Sequence, residues 1–374
     1  MMLTKHSLWN DDLTTQTDIT LISSGADLYK VQPETFGVTM GGELEGQLYR
    51  EVDGEFVPAD LTQELLDELN EARPGCFTPD LFGHMLEVVH SGPVNTLKAY
   101  ALGMVESLLL LRRVLDDRGL HYIVDGLPPF TTEPQINYKG PIGAYLQEKI
   151  RHLFGPIGVQ LWMVCGAHFH TGLPKGEGGF SDGDASLWLH RHMARPLDHL
   201  LRVLTNNAPF CLGRMTGYMS ARGERRRVLN DSGVAQTLPA SFEAYIQHLN
   251  REKLDRMILG DRDHRTTLRP SKNSGTIEWT MCDNGHILSM LSVLELVRRV
   301  GQRLLAEYYR SGSTTPVELF GVSDAHDTRH NAYHVDRFGL LTDVRLLGGE
   351  RRRERVTNVL KMLVDFADWL GEAA

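Results

Sequence analysis

The sequence predicts an α+β protein in which an antiparallel or mixed sheet is backed by helices. Strand-like segments rich in β-branched and aromatic residues, such as SGTIEWTMCD at 274–283, are separated by long amphipathic stretches. Their spacing does not follow the regular strand–helix–strand repeat of a parallel sheet. In addition, no G-x-G-x-x-G or G-x-x-x-x-G-K-[ST] loop follows a predicted strand, which disfavours a doubly wound nucleotide-binding fold.

The N-terminal part of the chain is predicted to contain a hairpin, two helices and a short strand. The pattern from 35 to 50 is extended, and Asp53–Gly54 is typical of a tight hairpin turn. Residues 61–73 and 95–119 have the periodicity of amphipathic helices, and Gly119 stops the second of them. Residues 121–126 then form the short strand.

The rest of the chain is predicted to contain several helices and two buried strands. The apolar run at 159–173 indicates one strand, and 274–283 indicates the other. Without a repeat or a Pro/Ser-rich linker to mark a boundary, we expect residues 1–34 to form an extension and 35–374 to form a single domain. Helices are predicted at 143–154, at 186–204 with a kink at Pro196, and at 241–259, 286–309 and 353–371.

The composition is that of an ordinary globular protein, and it argues against nucleic-acid and membrane partners. The 374 residues are 41% hydrophobic, and the net charge is −9 with a pI of about 6.0. No basic field would attract nucleic acid, and no apolar run reaches the roughly 18 residues that span a bilayer. The first residues lack a secretory-signal pattern, and the four cysteines are widely spaced, as in a reduced protein. We therefore expect a cytoplasmic protein that acts on small molecules.

Two acidic residues lie close together in the segment GGELEG. On a strand, Glu43 and Glu45 project from the same face with Cα atoms roughly 6.5–7 Å apart. Neighbouring carboxylates repel each other unless a cation lies between them, and Mg²⁺ is the oxygen-seeking ion that suits such a pair. The alternative interpretation is an exposed strand face with two solvated acids.

Two histidines repeat this spacing in GAHFHTG, on an otherwise apolar strand. His168 and His170 share one face, near the end of the strand. A single buried histidine is usually a hydrogen-bonded core residue, but two on one face are harder to explain in that way. One could bind a metal and the other a substrate or nucleotide. Zinc is the rival metal, because imidazole suits it well.

Two further glutamates stand between apolar residues. Glu278 lies in TIEWT, where Thr276, Glu278 and Thr280 are expected to share a face, and Glu87 lies in HMLEVVH. A carboxylate is costly to bury without a partner, so each is either a functional group or a member of a buried ion pair.

Basic residues near glycines are candidates for binding phosphate or carboxylate, because an arginine fork binds both. In contrast, the runs at 225–227 and 351–353 are predicted to be solvated surface. The candidates are Arg214 and Arg222 in one loop and Arg269 and Lys272 before the Glu278 strand.

Together these segments resemble the carboxylate–amine ligases of the glutamate–cysteine ligase type, a branch of the glutamine synthetase-like superfamily. The resemblance runs from about residue 37 to about residue 340, and its weight comes from the order and completeness of short motifs. In family order they are GGELEG, the helix containing Glu87 with the HSG after it, GAHFHTG, NNAPFCLGRMTGY, LRPSKNSGTIEWTMCD and HNAYHVDRFGL.

The resemblance implies a curved, mainly antiparallel sheet, backed by helices, that forms an active-site cavity. In that family, glutamates and histidines hold two or three Mg²⁺ or Mn²⁺ ions around the phosphates of ATP. A substrate carboxylate attacks the γ-phosphate, and an amine then displaces phosphate from the acyl phosphate. Carried over to this chain, the metal ligands are Glu43, Glu45, Glu87, Glu278 and one of the histidines, with His168 assigned to metal and His170 to the nucleotide.

The resemblance also assigns the basic residues. Arg214, Arg222 and Arg269 would contact phosphate or the substrate carboxylate and, with Glu278, act in catalysis, and Lys272 would lie near the nucleotide. Two departures concern substrate identity. Thr280 stands where the family typically has an arginine two residues after the strand glutamate, and His330 stands where it more often has an acid.

Three other functions and one assembly are considered beside the ligase. A phosphotransferase resembling the guanidino kinases would use the same fold and release no amide. A zinc hydrolase could be built on H-x-H, although that motif lies mid-chain here. A non-catalytic relative could retain the fold as a binding module. By analogy with the superfamily, whose members are often multimeric, a homo-oligomer is also considered.

Overall fold

The computed structural model describes residues 39–130, 163–172, 197, 199–223, 268–271, 276–311, 325–346 and 352–368. The expected N-terminal extension, the helices predicted at 143–154 and 241–259, Pro196 and Lys272 lie outside these residues. Among the described residues, no helix is long and apolar enough to cross a membrane. All four cysteines fall within the described residues, and each is a free thiol.

Eight of the described strands form one sheet in which every pairing is antiparallel. Its main path runs in the order β3-β4-β1-β6-β10-β9, and β2 and β5 pair with the second half of β1. The expected α+β class with a mainly antiparallel sheet is therefore confirmed. The strands are β1 (Met40–Val52), β2 (Glu55–Pro58), β3 (Phe77–Pro79), β4 (Met85–Val89), β5 (Leu120–Ile123), β6 (Gly166–Gly172), β9 (Leu268–Ser271) and β10 (Thr276–Asp283).

Helices cover one face of this sheet, and two short hairpins lie outside it. Threonine side chains cap two of the helices, because Thr62 accepts from the Leu65 N–H and Thr96 accepts from the Ala99 N–H. The hairpins pair β7 (Phe210–Cys211) with β8 (Arg214–Met215), and β11 (Asp343–Leu346) with β12 (Arg352–Arg355). The helices are α1 (Gln63–Ala72), α2 (Leu97–Asp116), α3 (Ile287–Ser311), α4 (Ala325–Phe338), the 3₁₀ turn Gly339–Leu341 and α5 (Val356–Asp368).

The alternation of GGELEG along β1 separates a packed face from a polar face. Gly42 and Gly46 face the core, where aromatic rings lie directly against the strand. A Cβ on Gly42 would come within 2.6 Å of the Tyr100 hydroxyl, and one on Gly46 within 2.3 Å of the Tyr122 ring. The Tyr122 hydroxyl donates to the backbone of β1 and β4, so the ring is held in place. Glu43 and Glu45 then project from the opposite face.

Three sequence predictions are corrected by the fold. Glu87 lies on strand β4 rather than on a helix, because Met85–Val89 alternates between the two faces of the sheet. Within the described part of the strand predicted at 159–173, residues 163–165 are not in a strand, and strand β6 covers Gly166–Gly172. The helix predicted at 353–371 begins only at Val356, because Arg352–Arg355 forms strand β12.

Strand β10 also departs from regular alternation. Its register with β6 shifts between Trp279 and Cys282, so that Thr280 and Met281 together oppose one residue of β6. The expected common face of Thr276, Glu278 and Thr280 is therefore interrupted directly after Trp279. The backbone carbonyls of the two bulge residues accept hydrogen bonds from the Arg222 side chain.

Helix α4 is tied to residues 199–223 by buried polar contacts. The Asn206 amide donates to the Val335 carbonyl at 2.8 Å, and Arg202 pairs with the Asp336 carboxylate at 3.1 Å. The Ser220 N–H donates to the Asp336 carbonyl at 2.8 Å. Residues 219–223 therefore lie between α4 and the sheet.

We expect Gly46→Ala to destabilise the protein by about 1–3 kcal/mol, because the new methyl overlaps a buried ring that cannot easily move. Urea unfolding followed by circular dichroism measures the change. Gly92→Ala is the matched control, because nothing lies within 4 Å of a Cβ at that position. Equal unfolding midpoints for the two variants would contradict the packing described for β1.

Candidate active site

The six acidic and histidine residues singled out in the sequence lie on one face of the sheet. Directly opposed residues of an antiparallel pair project to the same side. Because β1 lies between β4 and β6, and β6 lies between β1 and β10, the set forms a continuous track across four strands. The register opposes Glu45 to Glu87, Glu43 to His168, and Glu278 to His170.

This track contains three overlapping groups whose potential ligand atoms lie within 4.8 Å of one another. Glu43 and Glu45 each belong to two groups, so the groups share ligands. Five of the seven residues are carboxylates, which is the donor chemistry that Mg²⁺ and Mn²⁺ prefer over zinc. The groups are Glu43–His170–Glu278, Glu43–Glu45–His168 and Glu45–Asp80–Glu87.

Glu45 is held in a strongly unfavourable environment for a lone carboxylate. Its side chain is 9% exposed, and its Oε2 accepts from the Gly166 N–H. Burial, together with the charges of Asp80 and Glu87, raises the pKa of Glu45 well above its usual value. A divalent cation among these carboxylates would relieve the repulsion. The residues present therefore fit a metal site.

His168 is engaged with Glu43. Its Nδ1 lies 2.6 Å from Glu43 Oε1. Burial lowers the pKa of His168 below its ordinary value, although the hydrogen bond to Glu43 opposes that shift. Burial alone would raise the pKa of Glu43, but the hydrogen bond and charge of His168 outweigh it and hold the pKa lower. His168 thus orients the Glu43 carboxylate, and both histidines belong to potential metal groups, His168 with Glu43 and Glu45 and His170 with Glu43 and Glu278. The assignment of His168 to metal and His170 to the nucleotide stays a prediction.

Arg222 is a cation close to the track, because its charge affects the pKa of both Glu45 and His168. It is completely buried and donates to the Thr280 carbonyl at 3.1 Å and the Met281 carbonyl at 3.3 Å, the two residues of the β10 bulge. It also lies 3.5 Å from the Asp283 carboxylate. A Cβ on Gly166 would be 2.1 Å from its Nη2, so glycine is required there.

The other basic residues singled out in the sequence are Arg214, Arg269 and Lys272. Arg214 is exposed on the short hairpin strand β8. Arg269 is opposite Glu278 in the β9–β10 register, and Lys272, which follows β9, lies outside the described residues. The roles assigned to Arg214, Arg222, Arg269 and Lys272 stay predictions, and the burial of Arg222 favours an internal role.

Asp80 was not singled out in the sequence. It follows the three-residue strand β3, and its backbone N–H donates to the Met85 carbonyl. Pairing of β3 with β4 brings its carboxylate beside Glu87 and Glu45. No spacing or motif distinguishes this aspartate from the other acids of the chain. Thr78, opposite Glu87, donates its hydroxyl to Glu87 at 2.6 Å.

The chain is similar in sequence to one family of known proteins. The model of glutamate–cysteine ligase family 2 matches residues 39–332. A "Putative glutamate–cysteine ligase 2-2" from Saccharopolyspora erythraea is 28% identical over 254 residues, which are 67% of this chain and 61% of that protein. A "Putative glutamate–cysteine ligase 2" from Chromobacterium violaceum is 24% identical over 345 residues, which are 89% of this chain and 84% of that protein.

Solved structures share the fold at low sequence identity. A glutamate–cysteine ligase from Francisella tularensis in complex with AMP superposes with a TM-score of 0.63 at 12% identity, covering 88% of this chain and 77% of that one. A bifunctional glutathione synthetase from Pasteurella multocida gives 0.60 at 13% identity, covering 89% and 46%.

The family match, the fold and the carboxylate track together define an ATP-dependent, amide-forming ligase of the carboxylate–amine type. More narrowly, the chain belongs to glutamate–cysteine ligase family 2. The glutamine synthetase-like fold expected from the sequence is thereby confirmed.

We expect Glu43→Gln and Glu45→Gln each to weaken Mn²⁺ binding by roughly tenfold or more, because each residue belongs to two of the three groups. Electron paramagnetic resonance of free Mn²⁺ measures the affinity and the number of ions bound. Glu51→Gln, on the exposed end of β1, is the control and should bind Mn²⁺ as the wild type does. A loss no greater than that of the control would show that the track does not bind metal.

Proposed function

We propose that this ligase joins the carboxylate of an amino acid such as glutamate to an amine through an acyl-phosphate intermediate, with ATP as the phosphoryl donor. The observation that supports this most strongly is the continuous track of carboxylates and imidazoles on one face of the sheet. The strands that carry this track lie within residues 39–332, which the family model matches.

In the first step, a carboxylate oxygen of the substrate attacks the γ-phosphorus of ATP. The bond from that phosphorus to the bridging oxygen of ADP breaks, and ADP leaves with the electron pair. The product is an acyl phosphate. No protein nucleophile is required, so the enzyme acts by positioning and by neutralising charge.

In the second step, the neutral amine attacks the acyl carbon, phosphate leaves, and the amine loses a proton to give the amide. The general base for that proton is not assigned to any residue.

The chain's own residues create the electrostatic environment for both steps. Mg²⁺ or Mn²⁺, when bound, would neutralise phosphate charge and orient its oxygens. The residues that would hold such ions are Glu43, Glu45, Glu87 and Glu278, with His168, His170 and Asp80. His168 orients Glu43 through a 2.6 Å hydrogen bond, and Arg222 supports the bulge beside Glu278.

Glutamate is proposed as the carboxylate substrate because the relatives are named as glutamate–cysteine ligases. Thr280 bears directly on this proposal. Thr280 is buried beside the track, and it stands where the family typically has an arginine. A threonine hydroxyl cannot form the bidentate ion pair by which an arginine binds a carboxylate. We therefore propose that Arg269, opposite Glu278 in the register, or Arg214 supplies the cation for the substrate carboxylate.

We expect Glu278→Gln to reduce ATP turnover by more than about 100-fold with the fold intact, because the change removes a buried charge at constant shape. Phosphate release is measured with a panel of amino acids and amines, and circular dichroism verifies the fold. The matched control is Glu106→Gln on the exposed surface of α2. Turnover close to that of the control would show that Glu278 has no part in the chemistry.

Removing the metal tests the same site in a second way. EDTA should abolish phosphate release, and Mg²⁺ or Mn²⁺ should restore it, because the carboxylate-rich groups prefer these ions. Restoration by stoichiometric zinc alone would instead favour the hydrolase alternative. Amine-independent turnover to a stable phosphorylated product would identify a phosphotransferase rather than a ligase.

A further inference from the structure

One edge of β1 has a gap in its strand pairing beside Glu45. On that edge β6 pairs with residues 40–44 and β5 pairs with residues 47–50, while β4 occupies the other edge at 43–47. Among the described strands, Glu45 and Gly46 therefore have no partner in the gap. Because an unpaired backbone group inside a protein is costly, another part of the chain is needed to fill it.

Asn284, the residue directly after β10, fills this gap. Its side chain is completely buried, and its amide donates to the backbone carbonyl of Glu45. Its side-chain oxygen accepts from the Gly285 N–H at 2.8 Å, and its backbone carbonyl accepts from the Asn207 amide at 3.0 Å. The Asn207 amide also donates to the Val124 carbonyl at 3.3 Å. The backbone of Glu45 is thus tied to the end of β10 through a side chain that is itself held in place.

The side chain of Glu45 is held at the same gap. The Gly166 N–H donates to Glu45 Oε2, and the guanidinium of Arg222 lies directly against Gly166, where a Cβ would be 2.1 Å from its Nη2. The residue before Gly166 is fixed as well, because the Cys165 N–H donates to the Gly126 carbonyl at 3.0 Å. A Cβ on Gly126 would be 3.2 Å from Cδ of Arg222. Arg222 therefore packs against both glycines that border the gap.

One buried network connects Arg222 to the asparagines. Arg222 Nη1 lies 3.5 Å from Asp283 Oδ1, and Asp283 Oδ2 accepts from the Asn207 N–H at 2.9 Å. The guanidinium also donates to the two carbonyls of the β10 bulge, which begins two residues after Glu278. The network thus reaches two acids of the carboxylate track from the side of the backbone. We call its four members the polar support: Asn207, Arg222, Asp283 and Asn284.

We propose that the polar support positions Glu45 and Glu278 for metal binding, and that Arg222 and Asn284 are positioning residues rather than substrate ligands. Both side chains are completely buried, and their hydrogen bonds go to backbone carbonyls of strands that carry the track. Residues that orient metal ligands in this way set the affinity for the ion without touching it. The effect on turnover rests on the proposed ligase function, whereas the effect on metal affinity does not.

The test compares Arg222→Lys with Arg298→Lys in the full chain. Lysine keeps the charge, but a single ammonium cannot reproduce the fork that bonds both bulge carbonyls and lies against Gly166. Arg298 is the matched control, because it is also buried and forms a bidentate ion pair with Glu295, which is not part of the track. We expect Arg222→Lys to weaken Mn²⁺ binding by roughly tenfold and the control to bind as the wild type does. Electron paramagnetic resonance measures the affinity, and urea unfolding measures how far each variant is destabilised.

Asn284→Ser tests the other end of the polar support and decides the question if Arg222→Lys does not fold. The shorter hydroxyl cannot reach the Glu45 carbonyl, so the gap beside Glu45 loses its hydrogen bond. We expect weaker Mn²⁺ binding here too, beyond that of the Arg298→Lys control, although no metal ligand has been changed.

Steady-state phosphate release separates positioning from substrate binding. For Arg222→Lys, kcat should fall while the KM values for ATP and for the carboxylate stay within about twofold of the wild type, because no substrate contact is removed. A raised KM with unchanged Mn²⁺ affinity would overturn the proposal and make Arg222 a substrate ligand. Mn²⁺ affinities of both support variants equal to that of Arg298→Lys would overturn it as well. If the wild type binds Mn²⁺ but releases no phosphate, the ligase function fails, and the affinity comparison still decides the role of the polar support.

Discussion

The pairing register of β1 with β4 and β6 places acidic and imidazole side chains next to one another. The geometry of the rest of the site depends on this register. Glu45 lies directly opposite Glu87, and Glu43 directly opposite His168. A shift of one residue in either pairing would move the carboxylates to the packed face of the sheet. Such a concentration of buried carboxylates costs free energy in the folded protein, and a cation bound among them would offset that cost.

The packed face of β1 is what fixes this register. Tyr122 bridges the backbones of β1 and β4 through its hydroxyl, and its ring fits against the strand only because Gly46 has no side chain. Tyr100 lies in the same way against Gly42. Glu43 and Glu45 are therefore held in place by Gly42 before them and Gly46 after them, since close aromatic packing on one face of the strand determines which residues project from the other.

A single segment, residues 219–223, connects the carboxylate track to helix α4. Ser220 bonds to α4, whereas Arg222 reaches through to the bulge of β10 and lies over Gly166. The bulge has a structural role here, because the Thr280 and Met281 carbonyls accept hydrogen bonds from the guanidinium. Residues 219–223 thus link the carboxylate track to helix α4.

The sequence by itself determined the local features of this protein. Period-two patterns placed Glu43 with Glu45 and His168 with His170 on strands, and the amphipathic pattern predicted α2 and α3, because these signals depend only on neighbours in the chain. Only the tertiary structure decided which strands are neighbours. It placed Glu87 on a strand, brought Asp80 to the track, buried Arg222 and interrupted the face of Thr280. These features arise from pairings between segments far apart in sequence. The residue pattern of one segment does not determine which other segment it pairs with.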